Sequence, residues 1–202
     1  MSKYLYLLDP GHGGLIDGVY QTSGKRSPKF DDGSILYEGV NNRDNVNRLI
    51  LELKANDIEC IDLVDTNEDI SLGERVRKAN KLNKDRKCIY LSMHSNASGS
   101  GGNWGKARGN GVYIYPTCSK TTRNLATKLN YSIPKYFGDM TKHRGIRERN
   151  FYVLRKTNMP AVLLEMGFHD HKEESAIMLT HIWKTLLVDS IVEAIKHFEN
   201  EN

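Results

Sequence analysis

The residues in this chain best suited to chemistry are two histidines and two glutamates. His12 stands in Asp9-Pro10-Gly11-His12-Gly13-Gly14, directly after the apolar run Tyr4-Leu5-Tyr6-Leu7-Leu8. His94 follows Cys88-Ile89-Tyr90-Leu91-Ser92, within Met93-His94-Ser95-Asn96, and Glu165 follows Ala161-Val162-Leu163-Leu164. Each apolar run is short, as expected of a buried strand. Three strands thus deliver an imidazole or a carboxyl at their carboxyl ends, where ligands gather in open α/β sheets. Glu38 closes a long polar stretch just before a helical pattern. Two imidazoles and a carboxylate, with one position left to water, form a common catalytic zinc set. Near the positive end of its helix, Glu38 should stay ionised, as a ligand must. Zinc lowers the pKa of its bound water to about 7, giving a nucleophile at neutral pH. Glu165 is then the general base, taking the water's proton and handing it to a leaving amine.

The same residues admit other readings. His12 alone reads as a turn residue and His94 as a satisfied strand-end histidine. Asp17, Asp31, Asp32 and Asp44 rival Glu38 from in or beside the same loop. Glu165 is more telling, because an acid directly after four core residues needs a partner or a purpose. His169-Asp170-His171 has ligand chemistry, but alternating side chains in a polar turn point apart, so a wall of the cleft is expected there. Asn96 either orients a neighbouring ligand or satisfies a turn. The basic stretch around Lys142, Arg144, Arg147 and Arg149 either clamps substrate carboxylates or forms a solvated face. A phosphate cradle at Gly11–Gly14 is disfavoured, since no helix starts there and no Walker lysine-serine pair follows. A glycosidase using Glu38 and Glu165 would leave both histidines idle, and a silent binding module would not need Glu165.

The positioning elements follow from periodicity. A helix is expected from about Asn42 to Asn56, with Val46, Leu49, Ile50 and Leu53 inward, after a long loop from Gly13 to Tyr37. Ile58 to Val64 reads as a strand, and Ser71-Leu72-Gly73-Glu74 as a capping box opening a helix. A flexible loop is expected over Ser98 to Asn103, then a strand over Gly111–Tyr115 and a helix from Lys120 to about Ile133. Gly138–Asn150 reads as a basic loop, Phe151–Leu154 as a short strand, and Gly167–His171 as a turn. Helices over Glu173–Leu179 and about Ile182–Phe198 complete the pattern. Alternating strands and helices predict a three-layer α/β/α single domain spanning residues 1–202, with a largely parallel mixed sheet.

The composition sets bounds. A chain of 202 residues can bury a sizeable core without staples. Its three cysteines form no disulfide framework, consistent with a reducing compartment. A formal charge of +4 is mild, and no nucleic-acid motif accompanies it. No apolar run approaches the roughly 20 residues of a bilayer span, so no stable membrane insertion is expected. Met1-Ser2-Lys3 leads straight into the first strand, so no signal peptide is expected.

Taken together, these segments resemble the zinc-dependent N-acetylmuramoyl-L-alanine amidases of the type 3 amidase family. The matching stretches are Leu8–Gly14, Glu38 before its helix, Ser71–Asn80, Leu91–Ala97, Gly111-Val112-Tyr113, Arg144-Gly145, Tyr152–Arg155 and Pro160–Phe168, in family order across nearly the whole chain. The resemblance implies His12, Glu38 and His94 as ligands of one zinc ion and Glu165 as the catalytic acid–base. It also implies cleavage of the peptidoglycan amide between the muramoyl lactyl group and L-alanine. Asn96, Arg144, Arg147 and Arg155 are the expected substrate contacts. Gly18–Tyr37 is longer and more basic than the minimal family pattern. With no room for a wall-binding module, the chain looks like a compact phage endolysin. Such a protein is made in the host cytoplasm and released to the wall with the help of a holin. A bacterial autolysin of the same chemistry is the alternative.

Overall fold

The computed structural model describes residues 2–99 and 102–201. The elements are β1 (Leu5–Pro10), β2 (Leu15–Ile16), β3 (Val19–Tyr20), α1 (Glu38–Ala55), β4 (Cys60–Asp62), α2 (Leu72–Asp85) and β5 (Cys88–Asn96). They continue as β6 (Asn110–Ile114), α3 (Lys120–Phe137), β7 (His143–Glu148), α4 (Tyr152–Lys156), β8 (Ala161–Phe168), α5 (Lys172–Met178) and α6 (His181–Glu201). Six strands form one sheet in the order β4-β1-β5-β8-β6-β7, while β2 and β3 form a separate hairpin. β4, β1, β5 and β8 run parallel, β6 is antiparallel to β8, and β7 is parallel to β6. The expected α/β class and largely parallel mixed sheet are present.

Alternation along each strand divides its side chains between two faces. Tyr6, Leu8, Ile89, Leu91, Met93, Val162 and Leu164 pack with residues of α1, α3 and α6. Leu7, Tyr90, Ala161 and Leu163 point the other way, onto Val76 and Ala79 of α2 and Val153 and Leu154 of α4. Burial on both faces is why these strands read as unbroken apolar runs. On the three-helix face, Phe137 and Trp183 meet edge to face with centroids 4.5 Å apart. Each fully buried aliphatic side chain there contributes about 1.5–3 kcal/mol. Among the described residues, no single helix is long and apolar enough to cross a membrane.

Several boundaries differ from the sequence expectation. The helix expected from Asn42 begins at Glu38 itself, because polar residues in its first turn conceal a helical start. The expected Gly13–Tyr37 loop contains the β2–β3 hairpin, whose Asp17 and Gly18 have φ of 50° and 78°. Those values suit a tight two-residue turn. The basic stretch 138–150 is not all loop: His143–Glu148 forms the edge strand β7. Its charges suit an edge, which must resist pairing with other chains. The strand expected at Phe151–Leu154 is instead the short helix α4, with Val153 and Leu154 buried side by side. Short apolar runs do not distinguish the two by periodicity. The turn expected at Gly167–His171 starts later, because β8 continues through Phe168. Of the expected Ser98–Asn103 loop, Ser100 and Gly101 lie outside the described residues. Cys60, Cys88 and Cys118 are all free.

Candidate active site

β1, β5 and β8 lie side by side, with Pro10 opposite Met93 and His94 opposite Glu165. Register alone therefore sets the His12 loop, His94 and Glu165 at one carboxyl edge. Glu38 arrives from another direction. Its helix α1 packs on the three-helix face, and its first residue reaches over the strand ends, where Glu38 Oε1 accepts from Ser95 N at 3.0 Å. Asn42 Nδ2 ties the same helix to Gly11 O at 3.0 Å.

The three expected ligands converge. Glu38 Oε1 lies 3.3 Å from His12 Nε2 and 3.1 Å from His94 Nδ1. One donor atom from each of the three lies within 4.8 Å of the others. The two imidazoles meet edge-on, 5.0 Å apart between centroids. Two glycines permit this approach. A Cβ on Gly11 would stand 2.1 Å from His94 Cε1, and one on Gly39 would stand 1.9 Å from Gly13 O. His12 has φ of 67°, a left-handed conformation that costs a non-glycine residue about 1–3 kcal/mol. Its carbonyl accepts from Arg43 Nη1 at 2.8 Å and Arg75 Nη2 at 3.1 Å, which holds it there.

Beneath the loop is a buried polar network. Arg75 Nη1 donates to Asp9 Oδ1 at 2.5 Å and to Pro10 O at 2.8 Å. Tyr90 Oη donates to Asp9 Oδ2 at 2.5 Å, and Ser92 Oγ donates to the same oxygen at 2.7 Å. Burial alone would raise the Asp9 pKa, but the Arg75 charge and the two hydroxyl bonds hold it below the usual value.

The site's electrostatics separate its two glutamates. Burial opposes ionisation of Glu38, yet hydrogen bonds from His12 and His94 outweigh it and hold the carboxyl far below its ordinary pKa. Burial likewise disfavours a charged His94, but Glu38 overcomes this and raises its pKa. Glu165 goes the opposite way. Burial, aided by the nearby negative Glu38 and countered by His94, pushes it up to about 8. Its Oε2 is buried with no hydrogen-bond partner among the described residues, and so is Oε2 of Glu38.

This donor set fits zinc. Two imidazoles and an ionised carboxylate stand together, and the spare buried carboxylate oxygen lacks the partner that a purely structural site would supply.

Not every expected site residue joins the centre. The rival acids are engaged elsewhere: Asp31 with Lys172, Asp32 with Ser34, and Asp44 with Arg48 and Lys184, while Asp17 turns the hairpin. His169 is not an exposed wall. It is buried, with Nδ1 3.1 Å from Ser95 O and 3.7 Å from Glu38 Oε2, and burial lowers its pKa. Past the end of β8 the chain turns, so that His171 caps α5 while His169 lies behind Glu38. Asn96 Oδ1 accepts from Ala97 N at 2.8 Å, the turn-satisfying role. Arg144 packs over the Phe168 ring at 4.9 Å and donates to Arg108 O. Arg147 is exposed on β7 opposite Tyr113. Arg155 lies far from this edge, beside a cavity of about 520 Å³ that reaches Ala161, the first residue of β8. Sequence reading did not single out Asp9, Arg43 or Gly39. The usable signal for Asp9 was parity, since it shares a sheet face with Tyr90 and Ser92.

A metal-binding donor group beside a separate buried carboxyl is the equipment of a metal-dependent hydrolase. The chain belongs to the N-acetylmuramoyl-L-alanine amidase family of type 3, whose sequence profile matches residues 7–197. It is 28% identical over 197 residues to the probable cell wall amidase LytH of Staphylococcus saprophyticus, covering 96% of this chain and 58% of that protein. The chain thus spans 34–58% of the length of the curated relatives it matches. Among solved structures, an N-acetylmuramoyl-L-alanine amidase from Clostridium difficile superposes with a TM-score of 0.81 at 27% identity, covering 100% of both chains. The amidase AmiC2 of Nostoc punctiforme gives 0.76 at 26% identity, covering 97% of each.

Proposed function

We propose that this chain is a zinc-dependent amidase that hydrolyses the peptidoglycan amide between the muramoyl lactyl group and L-alanine. One observation carries the reading. The His12–Glu38–His94 donor group and the Glu165 carboxyl, whose Oε2 has no hydrogen-bond partner among the described residues, stand on one sheet edge, with His94 and Glu165 in direct register. Family membership over residues 7–197 supports it.

His12, Glu38 and His94 would hold the metal, which supplies Lewis-acid polarisation of the scissile carbonyl and a water activated near neutral pH. The chain's own residues do the rest. Glu165 takes a proton on its carboxylate and delivers it to the departing nitrogen. Arg75 and Arg43 fix the His12 carbonyl, and Asp9 anchors Arg75, so the ligand loop needs no rearrangement as the reaction proceeds. His169 backs Glu38 from the buried side.

A glycosidase pairing of Glu38 with Glu165 is poorly supported, because both imidazoles and Ser95 N occupy Glu38 Oε1. The curated relatives carry the names of probable or uncharacterized cell wall amidases of bacteria. They support wall remodelling by a bacterial amidase over phage-type lysis through a holin, with peptidoglycan as substrate and the wall as the place of action.

The metal test is direct. Purified protein should carry about one zinc per chain. A chelator should abolish wall cleavage and added zinc should restore it. His12→Ala and His94→Ala should each lose the metal. Full activity of metal-free protein would overturn the reading.

A further inference from the structure

The segment leading into α1 is an antiparallel ladder. Arg26 bridges Tyr37, Ser27 N donates to Leu36 O at 2.8 Å, and Glu38 N donates to Lys25 O at 2.9 Å. That register sets Lys25 directly opposite Glu38. Directly opposed residues of an antiparallel pair share a face. Lys25, Ser27, Leu36 and Glu38 therefore occupy one side of the ladder, and the last three are buried. Lys25 alone on that side is exposed. Its backbone is fixed, since its carbonyl also accepts from Tyr20 Oη at 2.9 Å, and that hydroxyl accepts from Gly39 N. Its ammonium has no hydrogen-bond or ion-pair partner among the described residues. Lys25 thus stands on the same side of the ladder as the Glu38 carboxylate, which meets both His12 and His94.

A rigidly mounted cation without a partner, beside two acids, is an arrangement that calls for an anion from outside. Glu165 passes its proton to the departing amine, so the part of the substrate beside it is the released peptide. Building on the amidase reading, we propose that Lys25 is a specificity-determining residue that binds the first free carboxylate of the stem peptide on the leaving-amine side. Amidation of that carboxylate removes the charge and keeps the shape, so the enzyme discriminates free from amidated walls at this position.

The test uses two soluble probes on the zinc-loaded full chain. One is a muramoyl-L-alanyl dipeptide whose second residue carries a free α-carboxylate, and the other is its amide. Wild-type protein is expected to prefer the carboxylate by about tenfold in kcat/KM, the scale of one charge-assisted contact. Lys25→Met should collapse that ratio towards one, through KM for the carboxylate probe. Lys25→Arg should retain most of it. Equal losses on both probes in Lys25→Met, or a ratio that does not move, would overturn the role of Lys25 and leave the amidase reading standing. Wild-type protein that cleaves neither these probes nor purified walls would overturn both.

Discussion

The two faces of the central sheet are built from the same strands to opposite ends. On the face covered by α1, α3 and α6, the inward side chains of β1, β5 and β8 are apolar until Ser95 near the end of β5. On the α2 and α4 face the apolar contacts stop halfway up. Above Leu7, Tyr90 and Leu163 come Asp9, Ser92, His94 and Glu165. The first face supplies the burial that holds the fold. The second gives up some of that burial to hold charge, and its carboxyls meet different fates. Asp9 has a partner at each oxygen and stays ionised, whereas Glu165 has an oxygen with none and holds its proton. A carboxyl satisfied by the fold positions its neighbours, and one left unsatisfied is free for the substrate.

The sharpest break in that contrast is Glu165→Gln. It should fold, keep zinc nearly as well as wild type and lose turnover by roughly 100-fold or more. Glu38→Gln should instead weaken metal binding. Exchange of the two phenotypes would show the roles to be reversed. Removing Arg75 attacks the satisfied carboxyl. Arg75→Met leaves Asp9 buried without its cation and should cost about 3–5 kcal/mol in denaturant unfolding. It should also loosen zinc, because the His12 carbonyl loses a donor. Unchanged zinc affinity in a folded variant would mean that the network does not position the site. Leu164→Ala, on the apolar face of the residue just before Glu165, should cost about 2–5 kcal/mol. Its kcat at a temperature where it is folded should stay near wild type.

A pH titration of the metal-free protein sharpens the comparison further. Folded Glu165 holds its proton up to about 8, while the unfolded chain releases it near the ordinary glutamate value of 4.5. The folded state therefore binds more protons between those values, and stability from this group falls as pH rises through that window. Asp9 has the opposite sign: its depressed pKa adds stability above its ordinary value, lost as pH falls below it. Glu165→Gln should flatten the near-neutral slope and leave the acid limb alone. A slope that persists in the variant would assign it to another group. The smallest effect expected is at the edge strand. Arg147→Ala should raise KM for wall fragments by a few-fold with little change in kcat, the mark of uniform binding lost.

Much of this was legible from residue type and position. The three strand ends and their chemical residues lie in short apolar runs, and runs of that kind are robust because both sheet faces are buried. What escaped was whatever depends on three-dimensional approach. Gly39 matters because Gly13 O comes close to it, and Arg43 because the His12 carbonyl does; neither partner is near in sequence. Glu38 outranks Asp31 and Asp44 only because the ladder from Lys25 to Glu38 starts α1 four residues earlier than its apolar stripe suggests. His169 was misplaced because the strand before it runs further than its composition implied. Arg155 sits in a motif but at the other end of the sheet, which the motif alone does not reveal.

The bond that is broken separates an amidase from every other wall hydrolase. Purified walls digested with the zinc-loaded protein, with free amines and reducing sugar ends labelled separately, give the answer in one experiment. The account predicts new N-terminal alanine, glycan strands stripped of peptide and no gain in reducing ends. New reducing ends, or amines on stem or bridge residues other than that alanine, would contradict it.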